Sequence, residues 1–303
     1  VLALLAPGQG SQTPGMLGPW LELEGTRSRV TTWSELTGLD LLELGTVADA
    51  DAIKDTAVTQ PLVVAAALLA YEVLASQEQL PDDLVVAGHS VGELAAAAIA
   101  GVLSADDAVM LAAVRGREMA AACELAPTGM AAVMGGEPDE VVAWLDKNDL
   151  TAANMNGAGQ IVAAGPAYGI EAVVAEKPDF VKKVIQLKVA GAFHTHYMAP
   201  AQDKLRERAR DVTVSDPTRT LLSNADGRPV TSGAEMLERL VNQVTLSVRW
   251  DLCQATMTSL GVTATVELPP AGALTGLAKR ELKVPTVALK TPADLAKIAG
   301  VPA

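Results

Sequence analysis

An α/β fold with a mostly parallel sheet and a small inserted βαββαβ unit is what this sequence predicts, on three observations. Short apolar runs alternate with helical segments along most of the chain. One strand–turn–helix unit is centred on Gly88-His89-Ser90-Val91-Gly92. Between Gly129 and Val189 the pattern changes to two consecutive strand–helix–strand units. The chain has 303 residues, half of them apolar, which is enough to bury a large core.

Residues 1–6 read as a buried strand, followed by the loop Pro7-Gly8-Gln9-Gly10-Ser11-Gln12. Its two glycines let the backbone around Gln9 approach a ligand or another element closely. A phosphate cradle is a weaker reading, because no G-K-[ST] follows and G-x-G-x-x-G is incomplete. Pro14 and Gly15 lead into a helical stretch through Leu23, and residues 32–56 carry no site signal. Thr59-Gln60-Pro61 is expected to open a long helix, with Thr59 as N-cap and Pro61 in the first turn. Residues 62–75 are apolar on nearly every side, which places that helix beneath the sheet.

Pro81-Asp82 ends the connection and delivers the strand before Ser90. Strand, G-x-S-x-G turn and alanine-rich helix make a nucleophile elbow, and hence a hydrolase-like core. The turn cramps the Ser90 backbone, and the helix start turns free N–H groups and a positive dipole end toward a developing anion. Gly101 ends this helix, and Ser104 with Asp106 and Asp107 starts the next, which runs to about Cys123.

Strands at 130–134, 150–154, 160–164 and 181–189 and helices at 138–147 and 167–176 make the second pattern ferredoxin-like. The expected division is a large catalytic domain of residues 1–127 and 191–303, with residues 128–190 as the small domain. After the loop at 190–200 come a charged helix at 201–212 and strands at 221–224 and 228–230 around Asp226-Gly227. Helices near 237–244 and after Trp250, a strand at 263–268, a helix at 274–281, a strand at 286–289 and a helix at 292–299 finish the chain.

The net charge of −13 argues against nucleic acid as a partner. No apolar run is seen to approach the roughly 18 residues that cross a membrane. Cys123 and Cys253 match no metal or redox spacing, and the first residues carry no basic run or cleavage site, so a cytoplasmic location is expected.

A serine nucleophile needs a base, and the chain has three histidines, His89, His194 and His196. Neighbouring side chains on the elbow point apart, which removes His89 and leaves His194 or His196. No acid stands out to orient the imidazole, since Asp139, Asp146, Asp149 and Asp179 all lie in the insert, and a backbone carbonyl can serve instead. In the helix after Ser104, Arg115 shares an apolar face with Ala108, Leu111, Ala112, Met119 and Ala122. It either pairs with Glu118 or snorkels to the surface, or it waits for an anionic ligand.

Several stretches occur in an order that resembles one family. They are Gly8-Gln9-Gly10-Ser11-Gln12, Thr59-Gln60-Pro61, Gly88-His89-Ser90-Val91-Gly92-Glu93, Arg115-Gly116 with Met119, and Ala192-Phe193-His194. Asn154, Asn156 with Gly159-Gln160, and Thr275-Gly276-Leu277 extend the likeness over nearly the whole chain. The family is the malonyl-CoA:acyl carrier protein transacylases of fatty acid synthesis, related to the acyltransferase domains of polyketide and fatty acid synthases. The resemblance implies Ser90 as the malonyl carrier and His194, rather than His196, as base. It implies an oxyanion hole from the N–H groups of Gln9 and Val91, and a clamp from Arg115 on the malonyl carboxylate. It implies that the carbonyl of the stretch at Gln243 orients the histidine, with Gln60, Met119, Asn154 and Asn156 at the site. Phe193 resembles the malonyl-selecting form of its motif, whose ring would crowd an added methyl.

His196 departs from the family, which often has a small or apolar residue there. The resemblance implies no metal or cofactor, with malonyl-CoA and a holo acyl carrier protein as partners. The competing reading is a serine thioesterase or esterase with water as acceptor; exclusion of water and a use for Arg115 favour transfer. Lys182, Lys183, Lys188, Lys204, Arg206, Arg208 and Arg210 offer positive charge for an acidic carrier.

Overall fold

The computed structural model describes residues 1–77, 80, 81, 83–298 and 300. Its strands are β1 (Leu2–Ala6), β2 (Val85–Gly88), β3 (Thr128–Met134), β4 (Thr151–Gly157), β5 (Gln160–Pro166), β6 (Lys183–Gln186), β7 (Thr220–Leu222), β8 (Pro229–Val230), β9 (Ala264–Glu267) and β10 (Thr286–Ala288). The first helices are α1 (Thr26–Thr37), α2 (Leu41–Thr46), α3 (Thr56–Ser76), α4 (Gly92–Ile99), α5 (Ala105–Cys123) and α6 (Pro138–Asp146). They are followed by α7 (Ala167–Ala175), α8 (Ala199–Ala209), α9 (Gly233–Asn242), α10 (Trp250–Ser259), α11 (Ala273–Glu281) and α12 (Leu295–Ile298).

The larger sheet runs β10-β9-β1-β2-β7-β8, parallel except for the β7–β8 hairpin. Its central strands are buried on both faces, as parallel strands between helices must be. β1 and β2 are neighbours with Ala6 opposite Gly88, so their two following loops emerge side by side at the carboxyl edge. That edge is where open parallel sheets place ligands.

The smaller sheet is antiparallel in the order β4-β5-β3-β6, the ferredoxin-like arrangement. Its strands obey the two-residue period. Ala131, Val133, Ile161 and Ala163 turn toward α6 and α7, while Met130, Ala153, Val162 and Ala164 join the core of the larger layer. The seam is backbone to backbone: Met155 N–H donates to the Val248 carbonyl at 2.9 Å, and Val248 N–H to the Ala153 carbonyl at 2.8 Å.

Several local expectations are corrected. The long helix starts at Thr56 with Asp55 as its N-cap, four residues before the expected cap Thr59, because the Asp55 carboxylate accepts from Ala57 N–H at 2.8 Å. The Thr59 hydroxyl donates to the Ile53 carbonyl instead, and Pro61 lies inside the helix. By length and composition this 21-residue helix would pass as a membrane span, contrary to the sequence reading, but it is packed among α1, α4 and α5. The expected helix before Leu23 is one 3-10 turn, Gly18–Glu22. β6 ends at Gln186, which frees Leu187, Lys188 and Val189 to line a cavity. Asp82 and Ala299, expected in a connection and in the last helix, lie outside the described residues.

Candidate active site

A cavity of about 390 Å³ opens where the loops after β1 and β2 meet the smaller sheet. Ser90 lies in its floor between β2 and α4, with φ of +53°. Few non-glycine residues tolerate that conformation, which persists only when its surroundings hold it. Here they do. Ser90 N–H donates to Asn224 Oδ1 at 2.9 Å, and its carbonyl accepts from Gln243 Nε2 at 3.0 Å. A Cβ on Gly88 would overlap the Gly92 backbone, and one on Gly92 would overlap the Ala6 carbonyl, so both flanks of the turn have to be glycine.

His194 Nε2 lies 2.8 Å from Ser90 Oγ. His194 is 3% exposed, and it also has a positive φ, +60°. Its Nδ1 is 2.8 Å from the Gln243 main-chain carbonyl. A carbonyl can only accept, so Nδ1 carries the proton and Nε2 offers its lone pair to the serine. Burial, with the Arg115 cation nearby, pushes the imidazole down to about 3, so it is neutral near neutral pH. Among the described residues, no carboxylate orients the ring. His196 is exposed and stacks against Tyr197 with ring centroids 4.2 Å apart, away from the serine.

Arg115 projects from α5 and is 2% exposed. Its guanidinium donates to Gln60 Oε1 at 2.7 Å, Gln243 Oε1 at 2.8 Å and Ser90 Oγ at 3.3 Å. Glu118 pairs with Arg117 instead, so the local ion-pair reading of Arg115 does not hold. Burial lowers Arg115 to about 10, with the Glu93 carboxylate opposing that shift, and the group stays cationic. The result is a buried cation, bonded to neutral amides and a hydroxyl, on the wall beside the nucleophile.

Gln60, Met119, Phe193, Asn154 and Asn156 all line the same cavity, as do Gln9 and His89. Gln60 reaches Met119 Sδ through Nε2 at 3.5 Å. His89 turns away from Ser90 to Asn156 Oδ1 at 2.9 Å, while Asn156 Nδ2 donates to Gln160 Oε1 at 3.0 Å. Val91 is the N-cap residue of α4. Among the described residues, neither its N–H nor that of Gln9 has a hydrogen-bond acceptor. Of the seven cations picked out in sequence, Lys188 alone lines the cavity, where Lys54 and Arg280 join it. Lys204 and Arg208 are paired with Glu207 and Asp211.

Sequence reasoning missed Glu93, Asn224 and the Gln243 side chain. Asn224 Nδ2 donates to the Gly88 carbonyl at 2.8 Å, which ties the end of β7 to the elbow. Glu93 carried a usable signal, being the one charged side chain in an otherwise alanine-rich buried helix.

A strained serine, a neutral imidazole on its hydroxyl and a cation beside both make, on an α/β fold, an arrangement able to carry acyl chemistry through a serine ester. The chain belongs to the acyl transferase domain family, whose model matches residues 4–301. It is 56% identical over 303 residues to the malonyl CoA-acyl carrier protein transacylase of Mycobacterium tuberculosis, covering 99% of this chain and 100% of that one. The crystal structure of MCAT from the same organism matches with a TM-score of 0.96 over 98% of this chain and 99% of that one, at 56% identity. The acyl-carrier-protein S-malonyltransferase of Burkholderia pseudomallei matches with a TM-score of 0.92 over 99% of each chain, at 33% identity.

Proposed function

We propose that this protein moves a malonyl group from malonyl-CoA to the phosphopantetheine thiol of an acyl carrier protein, for fatty acid synthesis. His194 Nε2 takes the Ser90 proton as Oγ attacks the thioester carbonyl. The tetrahedral oxyanion is received by the N–H groups of Gln9 and Val91, the latter at the positive end of α4. Collapse breaks the C–S bond, and the departing CoA sulfur takes the proton from His194. In the second half the carrier thiol gives its proton to His194 and attacks the ester. Ser90 then leaves and is reprotonated. These steps draw on no cofactor or metal.

The observation that carries this reading is Arg115. Its guanidinium, buried 3.3 Å from Ser90 Oγ and, among the described residues, bonded to no carboxylate, suits an acyl group with a free carboxylate at its far end. A hydrolase of neutral esters has no use for it. Phe193, 7% exposed on the cavity wall, suits malonyl over a branched homologue. Cys123 and Cys253 are both free thiols, in keeping with a reducing cytoplasm. Mixing the protein with malonyl-CoA, with and without holo carrier, and following intact masses tests the reading. A malonyl ester that Ser90→Ala abolishes and that discharges onto the carrier is expected. Release of free malonate with the carrier left unloaded would overturn transfer in favour of hydrolysis.

A further inference from the structure

Glu93 lies one residue inside α4, directly behind the nucleophile turn, and is 1% exposed. A carboxylate buried that far needs partners, and it has two that lead back to the site. One oxygen accepts the main-chain N–H of Asn224 at 2.6 Å, and the other accepts Gln243 Nε2. Asn224 Oδ1 in turn holds the Ser90 N–H, and Gln243 Nε2 also holds the Ser90 carbonyl. Gln243 Oε1 accepts from Arg115 at 2.8 Å. One carboxylate therefore stands behind both main-chain polar groups of Ser90 and behind the guanidinium.

The order of these groups matters. An ionised carboxylate only accepts and a guanidinium only donates, so an amide between them has one satisfied orientation, with its NH2 toward Glu93 and its oxygen toward Arg115. A carboxylate in direct contact would occupy the guanidinium face that a substrate carboxylate needs. One amide further away, it still offsets the buried positive charge. Burial pushes Glu93 up to about 7, while Asn224, Gln243 and the Arg115 charge act to keep it ionised.

We propose that Glu93 is a positioning residue, the counter-charge of Arg115. It is held one amide away through Gln243 so that the guanidinium is aimed and compensated yet open to a substrate carboxylate. This rests on reading Arg115 as the malonyl clamp.

Two variants test it, each loaded with malonyl-CoA and with acetyl-CoA beside the wild type. In Glu93→Gln the new amide must keep its oxygen toward Asn224, so its NH2 faces Gln243 and turns that amide's own NH2 toward Arg115. In Glu93→Gln combined with Gln243→Glu, the buried pair keeps one amide and one carboxylate, but the carboxylate now sits directly on Arg115. The Ser90 carbonyl then loses the Gln243 donor and keeps the main-chain N–H of position 93 at 3.0 Å. Both are expected to lower the preference for malonyl-CoA over acetyl-CoA by about tenfold or more, carried by KM for malonyl-CoA. The exchange variant is expected to unfold near the wild-type temperature, so it carries the test if the single variant does not fold. An unchanged donor preference, equal losses on both donors, or failure of the exchange variant to fold would overturn the proposal. Absence of a malonyl ester on the wild type would instead overturn the transfer reading on which it rests.

Discussion

Gln243 serves His194 with its main chain, its carbonyl lying 2.8 Å from Nδ1, while its side chain is committed elsewhere, to Arg115, Ser90 and Glu93. The two halves of this residue are therefore separable by substitution. Gln243→Ala keeps the carbonyl that sets the imidazole tautomer and removes the acceptor that aims the guanidinium. The Ser90 carbonyl loses one donor but still accepts from Glu93 N–H at 3.0 Å, and Asn224 still holds the Ser90 N–H. The rate of Ser90 sulfonylation by a small neutral reagent is expected to stay within about threefold of wild type, while kcat/KM for malonyl-CoA falls about tenfold or more. Parallel loss of both rates would mean that the side chain holds the base as well.

His194 makes the fold sensitive to acid in a defined window. Its pKa falls from 6.5 to about 3 on folding, so the folded state favours the neutral ring. Its contribution to stability is full above the unfolded value and is lost as pH falls from 6.5 toward 3. Glu93 has the opposite sign, since its raised value makes its burial most favourable below 4.5 and progressively costly as pH rises through 7. Comparison with His194→Gln isolates the first effect. The unfolding free-energy difference between wild type and variant is expected to shrink by about 2 to 3 kcal/mol from pH 7 to pH 4.5. Urea unfolding at the two pH values measures it, and a constant difference would show that the ring is solvated.

Why some of this site is legible in sequence and some is not follows from the distance along the chain over which each contact acts. The elbow is mostly local: five consecutive residues, Gly88 to Gly92, make the turn, and Gly88 is demanded by the backbone of Gly92 and Glu93 within it, while Gly92 answers to the neighbouring strand at Ala6. Arg115 shows through periodicity, because a charge on an apolar helical stripe must find a partner. His194 and His196 lie two residues apart in a loop with no period, so only the resemblance to a family separated them before the structure placed one on Ser90 Oγ. The network beneath the serine is the least legible part. Glu93 meets Gln243 across 150 residues and Asn224 across 131, and no spacing rule links them. The start of α3 differs from the sequence expectation for another reason: Thr59 and Asp55 are both acceptable caps, and Asp55 takes the role by accepting Ala57 N–H while the Thr59 hydroxyl donates to the Ile53 carbonyl.

Gly92 joins the elbow to the strand beside it. A Cβ at this position would overlap the carbonyl oxygen of Ala6, which is main chain in a buried strand and cannot move away cheaply. Gly92→Ala is expected to cost about 2 kcal/mol or more in unfolding free energy and to displace Ser90 from His194, abolishing the malonyl ester. Thermal unfolding together with intact-mass loading checks both. A variant of wild-type stability that still forms the ester would show that the Ala6 edge is compliant.

Lys188 and Arg280 stand at the cavity in a chain of net charge −13, and among the described residues neither is ion-paired. Both are exposed, one just past β6 and the other near the end of α11, so no run of sequence announces them as a pair. The acyl donor brings phosphates to such a mouth, and the carrier presents its prosthetic arm through a phosphodiester. Charge reversal, Lys188→Glu with Arg280→Glu, is expected to raise KM for malonyl-CoA about tenfold at low ionic strength, with the difference shrinking toward 0.5 M salt, roughly, as screening shortens to a few ångströms. A short malonyl thioester of N-acetylcysteamine carries no phosphate, and its kcat/KM is expected to change by less than about twofold, because Ser90, His194 and Arg115 are untouched. Equal effects on both donors would mean that these cations shape the cavity instead of reading the phosphates that enter it.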